Sequence, residues 1–515
     1  MDNNQFLTDW GLSIMVFLPL AGALVMLLIP RAQENVHRWV ALLTSLAAAG
    51  FGVAVLADFD YDASDKLQFV VNKPWIDVIH ARYTIGIDGL SVPLVALTLL
   101  IVPLCIIYSW NHFPEPRNPK AFLILILILD TGMLGTFVAQ DLILFFVFFE
   151  VVLLPMYFLI GVWGGEQRQY ASIKFFLFTL FGSALMIVSF LALFFVTGGK
   201  TFNMVELANL VAANPLSRWT GLLIFGGMFM GFGIKVPIFP FHTWLPDAHT
   251  QAPTVGSVIL AAVLLKLGTY GFLRVAIPIL PDAAHSWAPW IGALAVVGII
   301  YGALACLAQT DMKRLIAFSS VAHMGFVMLG IATLTTFGFN AAVMGMVAHG
   351  LITGMLFFVA GSVKDRYHTL EIKRLGGLLL SAPRMGWILG FAAMASLGLP
   401  GLAGFWGEFP AILSSYQPAA GLSEVTFRVY MVVAAIGTVF AAGYLLWLYQ
   451  RTAFGTPTEE FVDEDIHDVS IPEWIAWVPM LVLILAIGVY PNIVFRVTDG
   501  SLTQVAQNVA AAVGG

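Results

Sequence analysis

Apolar residues run along this chain in stretches of about 20, the length a helix needs to cross a hydrocarbon core. Such stretches can be placed fourteen times, at residues 12–29, 39–57, 89–109, 121–138, 142–161, 172–196, 221–241, 255–278, 288–308, 315–334, 340–361, 386–415, 428–450 and 473–495. The pattern predicts an all-α polytopic membrane protein of about fourteen transmembrane helices. Two of the stretches are interrupted. Residues 231–253, GFGIKVPIFPFHTWLPDAHTQAP, lose backbone donors at Pro237 and Pro240, and residues 391–413, FAAMASLGLPGLAGFWGEFPAIL, break at Gly398, Pro400, Gly401 and Gly404. Freed carbonyls at membrane depth are tolerated only where protein or a water-filled cavity satisfies them. Broken helices seven and twelve, five spans apart, point to two inverted five-helix repeats, spans four to eight and nine to thirteen. The expected organisation is a three-helix segment with a loop (1–120), a first repeat (121–280), a second repeat (281–450) and an acidic loop with a last helix (451–515).

Composition agrees: 59% of the 515 residues are hydrophobic and 10% charged, far from the roughly 25% charged composition of soluble domains. The N-terminus carries Asp2 and Asp9 without a basic residue, so no cleavable signal peptide is expected and the first span is retained. Counting Lys and Arg in alternate loops gives fourteen on one side and seven on the other, which places both termini on the outer face. Residues 58–88, with Asp58, Asp60, Asp62, Asp65, Asp77 and Asp88, suggest a small extramembrane hairpin or cap, or else a solvated connector. Glu459, Glu460, Asp463, Glu464, Asp465 and Asp468 form an acidic cytoplasmic loop, either solvated or facing a partner. Cys105 and Cys306 are the only cysteines, too few for a protein-bound iron–sulfur cluster. A net charge of −6 gives no reason to expect a nucleic-acid partner.

The chemistry lies in the charges inside the spans. A lysine near the middle of a span costs on the order of 2.5 kcal/mol or more unless it is paired or hydrated. Lys235 on span seven therefore needs a partner. Glu150, the only acid within the run of span five and roughly 13 Å along it from Asp141, is the obvious candidate. Lys266 falls near the midplane of span eight with no prominent acid on that span. His323, one helical turn from Ser319, and His349, one turn from Thr353, sit on spans ten and eleven. Glu408 follows the break in span twelve, and His242, Asp247 and His249 follow the break in span seven.

Acids, lysines and histidines spread over six helices have neither the spacing of a metal site nor a nucleophile–base arrangement. Glu150, Lys235, Lys266, His323, His349 and Glu408 fit a proton relay joined by water and hydroxyls. Separating Glu150 from Lys235 would withdraw a stabilising charge and push a proton onward to Lys266. The competing reading is a static scaffold whose buried charges fix helix register.

KVPIFPFHTWLPDAHTQAPT, LLKLGTYGFLR, AFSSVAHMGF and MVAHGLITGMLFFVAG strongly resemble the antiporter-like membrane subunits of proton-pumping NADH:quinone oxidoreductase, respiratory complex I, over nearly the whole chain. Within that superfamily the resemblance is to the subunit M family, the counterpart of mitochondrial subunit 4. Glu408 in GFWGEF discriminates, since the sister subunits L and N usually carry lysine there. No long lateral helix of the subunit L kind is expected after the last span. The resemblance implies that Glu150 and Lys235 are the family's carboxylate–lysine pair and Lys266 its central relay lysine. His323 and His349 would be links in a hydrated axis, and Glu408 the terminal proton-exchanging acid. It further implies no cofactor in this chain, FMN and iron–sulfur clusters in partner subunits, and the sister subunits L and N as neighbours in a bacterial inner membrane. A subunit of a multi-subunit cation/proton antiporter, which shares the fold and the Glu–Lys pair, is the alternative.

Overall fold

The computed structural model describes residues 3–514 apart from Asn111, Asp463 and Asp465. Asp2, and the Asp463 and Asp465 part of the acidic loop, therefore lie outside the described residues. Twelve helices among the described residues are long and apolar enough to cross a membrane. The two remaining predicted spans are the interrupted ones: Arg218–Lys235 followed by Trp244–Gln251, and Pro383–Ser396 followed by Ala403–Ser414.

Three helices form the centre. Within an 18-residue apolar stretch of Thr254–Ile279, Met312–Ala332 and Thr336–Tyr367, 94, 94 and 100% of the residues are buried inside the protein, against 28% in Glu424–Ala453. These inner helices carry Lys266, His323 and His349, so the charged groups face protein rather than lipid. Small residues let the helices close on one another. A Cβ on Gly350 would lie 2.8 Å from the Ala262 carbonyl oxygen, so the His349 helix can approach the Lys266 helix only through a glycine.

Each break satisfies its own backbone. The helix Arg218–Lys235 stops at Lys235, and the Trp244 indole donates to the Ile234 carbonyl at 2.9 Å. Pro237 and Pro240 explain the stop, since neither supplies a donor. In the second break the backbone turns through positive φ at Gly398 (79°) and Gly401 (94°), which only glycine adopts freely. The Trp406 indole then donates to the Gly488 carbonyl at 2.8 Å, tying the second half-helix to Ile471–Val489.

Residues 58–88 form the expected hairpin: β1 (Gln68–Ile76) pairs antiparallel with β2 (Ala81–Ile87). It docks on the membrane helices through Asp141, whose Oδ2 accepts from the Arg82 amide at 3.1 Å. Asp141 Oδ1 caps the helix Leu142–Val151 by accepting from the amides of Ile143 and Leu144. On the same face, hereafter the hairpin face, lies a helix the hydropathy pattern did not predict. The fourteenth span ends at Val489 rather than 495, and Asn492–Gly514 begins after Pro491. Its apolar Val494, Val497, Leu502 and Val509 are buried while Arg496, Asn508 and Gln507 are exposed, an amphipathic pattern too polar to cross a membrane. Ser501 Oγ donates to the Ser64 carbonyl at 2.6 Å and Thr498 Oγ1 to Asn340 Oδ1 at 2.6 Å, locking this helix to the hairpin loop and to the His349 helix.

On the opposite face the acidic loop is more than a solvated run. Asp468 accepts from the amides of Arg384 and Met385, capping the first half of broken helix twelve, and Glu460 pairs with Arg374. Glu473, fully buried, holds Arg366 through both carboxylate oxygens at 2.9 and 2.8 Å and completes a capping box with Ser470.

The second half-helix rests on the His349 helix through paired glycines: a Cβ on Gly407 would lie 2.5 Å from the Gly345 Cα. Gly407→Val forces the two backbones apart, a cost of about 1–3 kcal/mol by overpacking. The expected result is a lower thermal midpoint of the isolated assembly, read by intrinsic fluorescence; an unchanged midpoint would show that the contact is not needed.

Candidate functional site

The six predicted residues fall into two groups. Lys266, fully buried, sits just after a π-helical stretch, Leu260–Leu264, where the widened turn turns a carbonyl towards it. Its Nζ lies 2.5 Å from the Ala261 oxygen and 2.7 Å from His349 Nδ1. Lys266 has no acid on its own span, yet it is not unpaired: its partner is an imidazole on another helix. When Lys266 is an ammonium it has three protons to donate and nothing to accept with, so in that state Nδ1 is the acceptor and a neutral His349 carries its proton on Nε2.

His349 Nε2 is buried and has no hydrogen-bond partner among the described residues. The ring lines a cavity of about 20 Å³, room for a single water, whose other walls include Thr353, His323, Ser396 and Glu408. Across it the His323 and His349 ring centroids are 6.0 Å apart. His323 Nδ1 lies 2.6 Å from Glu408 Oε1, while its Nε2 lies 3.1 Å from Ser396 Oγ and 3.2 Å from the Tyr444 hydroxyl. The break in helix twelve is what makes the Glu408 contact possible. It starts a new helix at Ala403 and lets the Glu408 carboxylate pass 3.3 Å from the place a Cβ on Gly398 would take. Lys266, His349, His323 and Glu408 therefore form one cluster from four different segments. It is continuous but for the width of one water.

Glu150 and Lys235 form the second group, and their arrangement differs from the expected ion pair. Among the described residues no carboxylate lies within 4.0 Å of Lys235. The Lys235 ammonium sits instead over the Phe149 ring, 4.8 Å from its centroid. The two charges are close enough to feel each other. Phe149 precedes Glu150 in a helix, so ring and carboxyl leave the backbone about 100° apart, and the ammonium has settled on the ring by a cation–π contact. No hydrogen bond joins Lys235 to Lys266 among the described residues, although their helices pack tightly where a Cβ on Gly268 would lie 2.5 Å from the Phe232 oxygen.

The groups after the first break divide. Asp247 is held by Lys174 at 2.7 Å and Arg314 at 3.8 Å. His242 packs on Phe239 and Tyr301. His249 is fully buried, stacks on Phe357 at 4.5 Å and has neither ring nitrogen hydrogen-bonded. The structure adds residues absent from the sequence series. Ser396 and Tyr444 complete the His323 site. Lys313, buried, lies 2.5 Å from the Ala252 carbonyl oxygen. Asp130, 2% exposed and with no hydrogen-bond partner for Oδ1 among the described residues, is a further intramembrane acid beside Glu150 and Glu408. Its signal, one carboxylate inside LILILILDTGMLG, is as plain as that of Glu150. No signal of that kind marks Tyr444 or Ser396, since hydroxyls are common in membrane helices. No cluster of three or more metal-ligating side chains occurs among the described residues.

Comparison with known proteins places this site in a lineage. Residues 139–437 match the family described as NADH:quinone oxidoreductase/Mrp antiporter, TM, and residues 66–136 match NADH-ubiquinone oxidoreductase chain 4, amino terminus. The chain is 41% identical over 516 residues to NADH-quinone oxidoreductase subunit M of Rhodobacter capsulatus, covering 98% of each protein. It superposes with a TM-score of 0.85 and 29% identity on a chain of respiratory complex I from Thermus thermophilus with bound NADH, over 97% of this chain and 99% of that one. A chain of the Mrp complex from Dietzia sp. DQ12-45-1b, at 18% identity, shares the fold with a TM-score of 0.81 over 97% of this chain and 99% of that one. With the family match covering more than half of the sequence and the relatives aligned end to end, the chain belongs to the NADH:quinone oxidoreductase/Mrp antiporter family, in its subunit M (chain 4) branch.

Proposed function

We propose that this chain is a proton-translocating, non-redox membrane subunit of NADH:quinone oxidoreductase, driven by quinone reduction elsewhere in the complex. The observation that carries this reading is the Lys266–His349 hydrogen bond continued by a one-water cavity to the His323–Glu408 pair. The imidazole takes a proton from Lys266 at Nδ1 and releases another from Nε2 to the cavity water, which passes one on to the His323–Glu408 pair. The Lys266–His349 and His323–Glu408 contacts are within hydrogen-bond reach, as proton exchange requires, and the water is assigned to the gap between the two rings. Glu150 and Lys235 set the charge felt by the rest. With Lys235 on the Phe149 ring rather than on Glu150, the ammonium has lost its strongest partner, and a proton is driven towards Lys266. The inverted-repeat reading adds that the two breaks, one between Lys235 and Trp244 and the other between Ser396 and Ala403, serve opposite faces.

In the complex, FMN and iron–sulfur clusters reside in partner subunits, and the sister subunits L and N are the neighbours of this chain. The basic-loop bias puts the hairpin face and both termini outside a bacterial inner membrane. A subunit of a cation/proton antiporter would exchange cations without NADH, and a scaffold would lose assembly rather than transport when its charges are removed.

In inverted membrane vesicles, Lys235→Ala is expected to leave the amount of assembled complex unchanged while NADH-driven acidification falls at least about tenfold. Normal pumping at normal assembly would make the Glu150–Lys235 group structural. Filling the one-water cavity gives an independent check. Thr353→Ile adds bulk at its wall and should slow pumping in assembled complex, whereas Thr353→Ser should not; equal rates in both would remove the cavity from the path.

A further inference from the structure

A cavity of about 370 Å³ with polar and apolar walls opens near the hairpin face, between the hairpin loop, the helix Asn492–Gly514 and the start of the Glu150 helix. Lys66, Gln140, Asn209 and Asn508 line it, and at its inner wall stand Asp88 and Arg274. Arg274 lies on the Lys266 helix. Lys266, Tyr270 and Arg274 recur every fourth residue, so they share one face, with Arg274 roughly 12 Å along the axis from the lysine. A cavity large enough to admit water thus ends two helical turns from the central charge of the relay.

What separates them is a network centred on the Arg274 guanidinium, in which Ser91 Oγ also lies 3.3 Å from the Tyr270 hydroxyl. Arg274 Nη1 donates to Asp88 Oδ2 at 2.7 Å, and Nη2 donates to Asp88 Oδ1 at 2.5 Å and to Ser91 Oγ at 3.2 Å. Its Nε donates to the Tyr270 hydroxyl at 2.9 Å, so the guanidinium stands between the carboxylate and the tyrosine. The Tyr270 hydroxyl, fully buried, gives its only proton to the Phe137 carbonyl at 2.8 Å. A proton moves along a hydrogen-bonded chain only through groups that both accept and donate. Arginine has no acceptor and stays charged in proteins, and its fixed charge repels an incoming cation. Inward of Tyr270, the Thr269 hydroxyl turns back to the Lys266 carbonyl at 3.1 Å and to Met346 Sδ.

We propose that the Arg274–Asp88 pair, closed over Tyr270, is a proton seal that keeps the hairpin-face cavity from short-circuiting Lys266. The inference rests on Lys266 being a proton carrier. It adds a barrier function for residues that the relay itself does not use. Both charges are held in one bidentate contact with 12 and 7% side-chain exposure, so removing one alone would leave the other buried and unpaired. The double variant Asp88→Asn/Arg274→Gln removes both and keeps amide groups that can bond each other.

The test uses the whole complex reconstituted in liposomes enclosing a pH-sensitive dye, with an acid pulse outside and no NADH. Assembled Arg274→Gln and the double variant should show a several-fold faster passive proton influx than the unsubstituted complex, while Asn508→Ala at the cavity wall should not. Influx equal to the unsubstituted complex in an assembled double variant would overturn the seal. Equal leak in Asn508→Ala would do so too, because the leak would then follow disturbance of the cavity rather than loss of the pair. The relay is judged separately: its failure appears as NADH-driven pumping that survives loss of Lys235, whatever the passive leak.

Discussion

A lysine that no water reaches must be solvated by the protein, and in this fold the solvent of Lys266 is an imidazole and a backbone carbonyl. Much of the centre follows from that constraint. The helix widens into a π turn before Lys266, the neighbouring helix comes close through Gly350, and His349 is oriented with Nδ1 committed to the ammonium. Committing one ring nitrogen leaves the other bare, and it faces the small cavity where His323 and Glu408 are already paired. A polar group left unsatisfied in an apolar interior is costly, so a cavity with room for one water is the economical answer. The same arrangement that stabilises the buried charge also provides its route outward.

Lys235 shows the contrary solution. It stands at the end of a helix that prolines have stopped, with an aromatic face as its nearest support and a carboxylate close by but not in contact. A cation held by a ring quadrupole is held less firmly than one in a direct ion pair. The two lysines thus differ in how tightly they are bound. The looser one is next to the break, and the tighter one is on one of the three central buried helices.

Much of this was legible in the chain. Hydropathy placed the helices, and prolines or Gly398 and Gly401 located the two breaks to within a few residues. The isolated charges named Lys235, Lys266, Glu150 and Glu408 because each is expensive in lipid. Three things were hidden for physical reasons. The central helices are no more hydrophobic than Glu424–Ala453, with window hydropathies of 1.7, 1.9 and 1.9 against 2.0, so which helices lie inside cannot be read from apolarity. Partners across helices depend on rotation about the helix axis, which is why Lys266 looked unpaired and Glu150 looked bonded to Lys235. The helix Asn492–Gly514 merges into the end of an apolar stretch, and only the break at Pro491 separates the two.

The central claim is that Lys266 and His349 act as one conducting unit, and a double-mutant cycle on pumping tests it most directly. Lys266→Met, His349→Phe and the pair would be compared by NADH-driven proton translocation at equal amounts of assembled complex. Groups that act in series through one hydrogen bond lose their function together, so the double variant is predicted to be no worse than the more damaged single one. Losses that multiply in the double variant would mean that the two residues serve separate paths, and the route drawn from Lys266 through the cavity to Glu408 would be wrong.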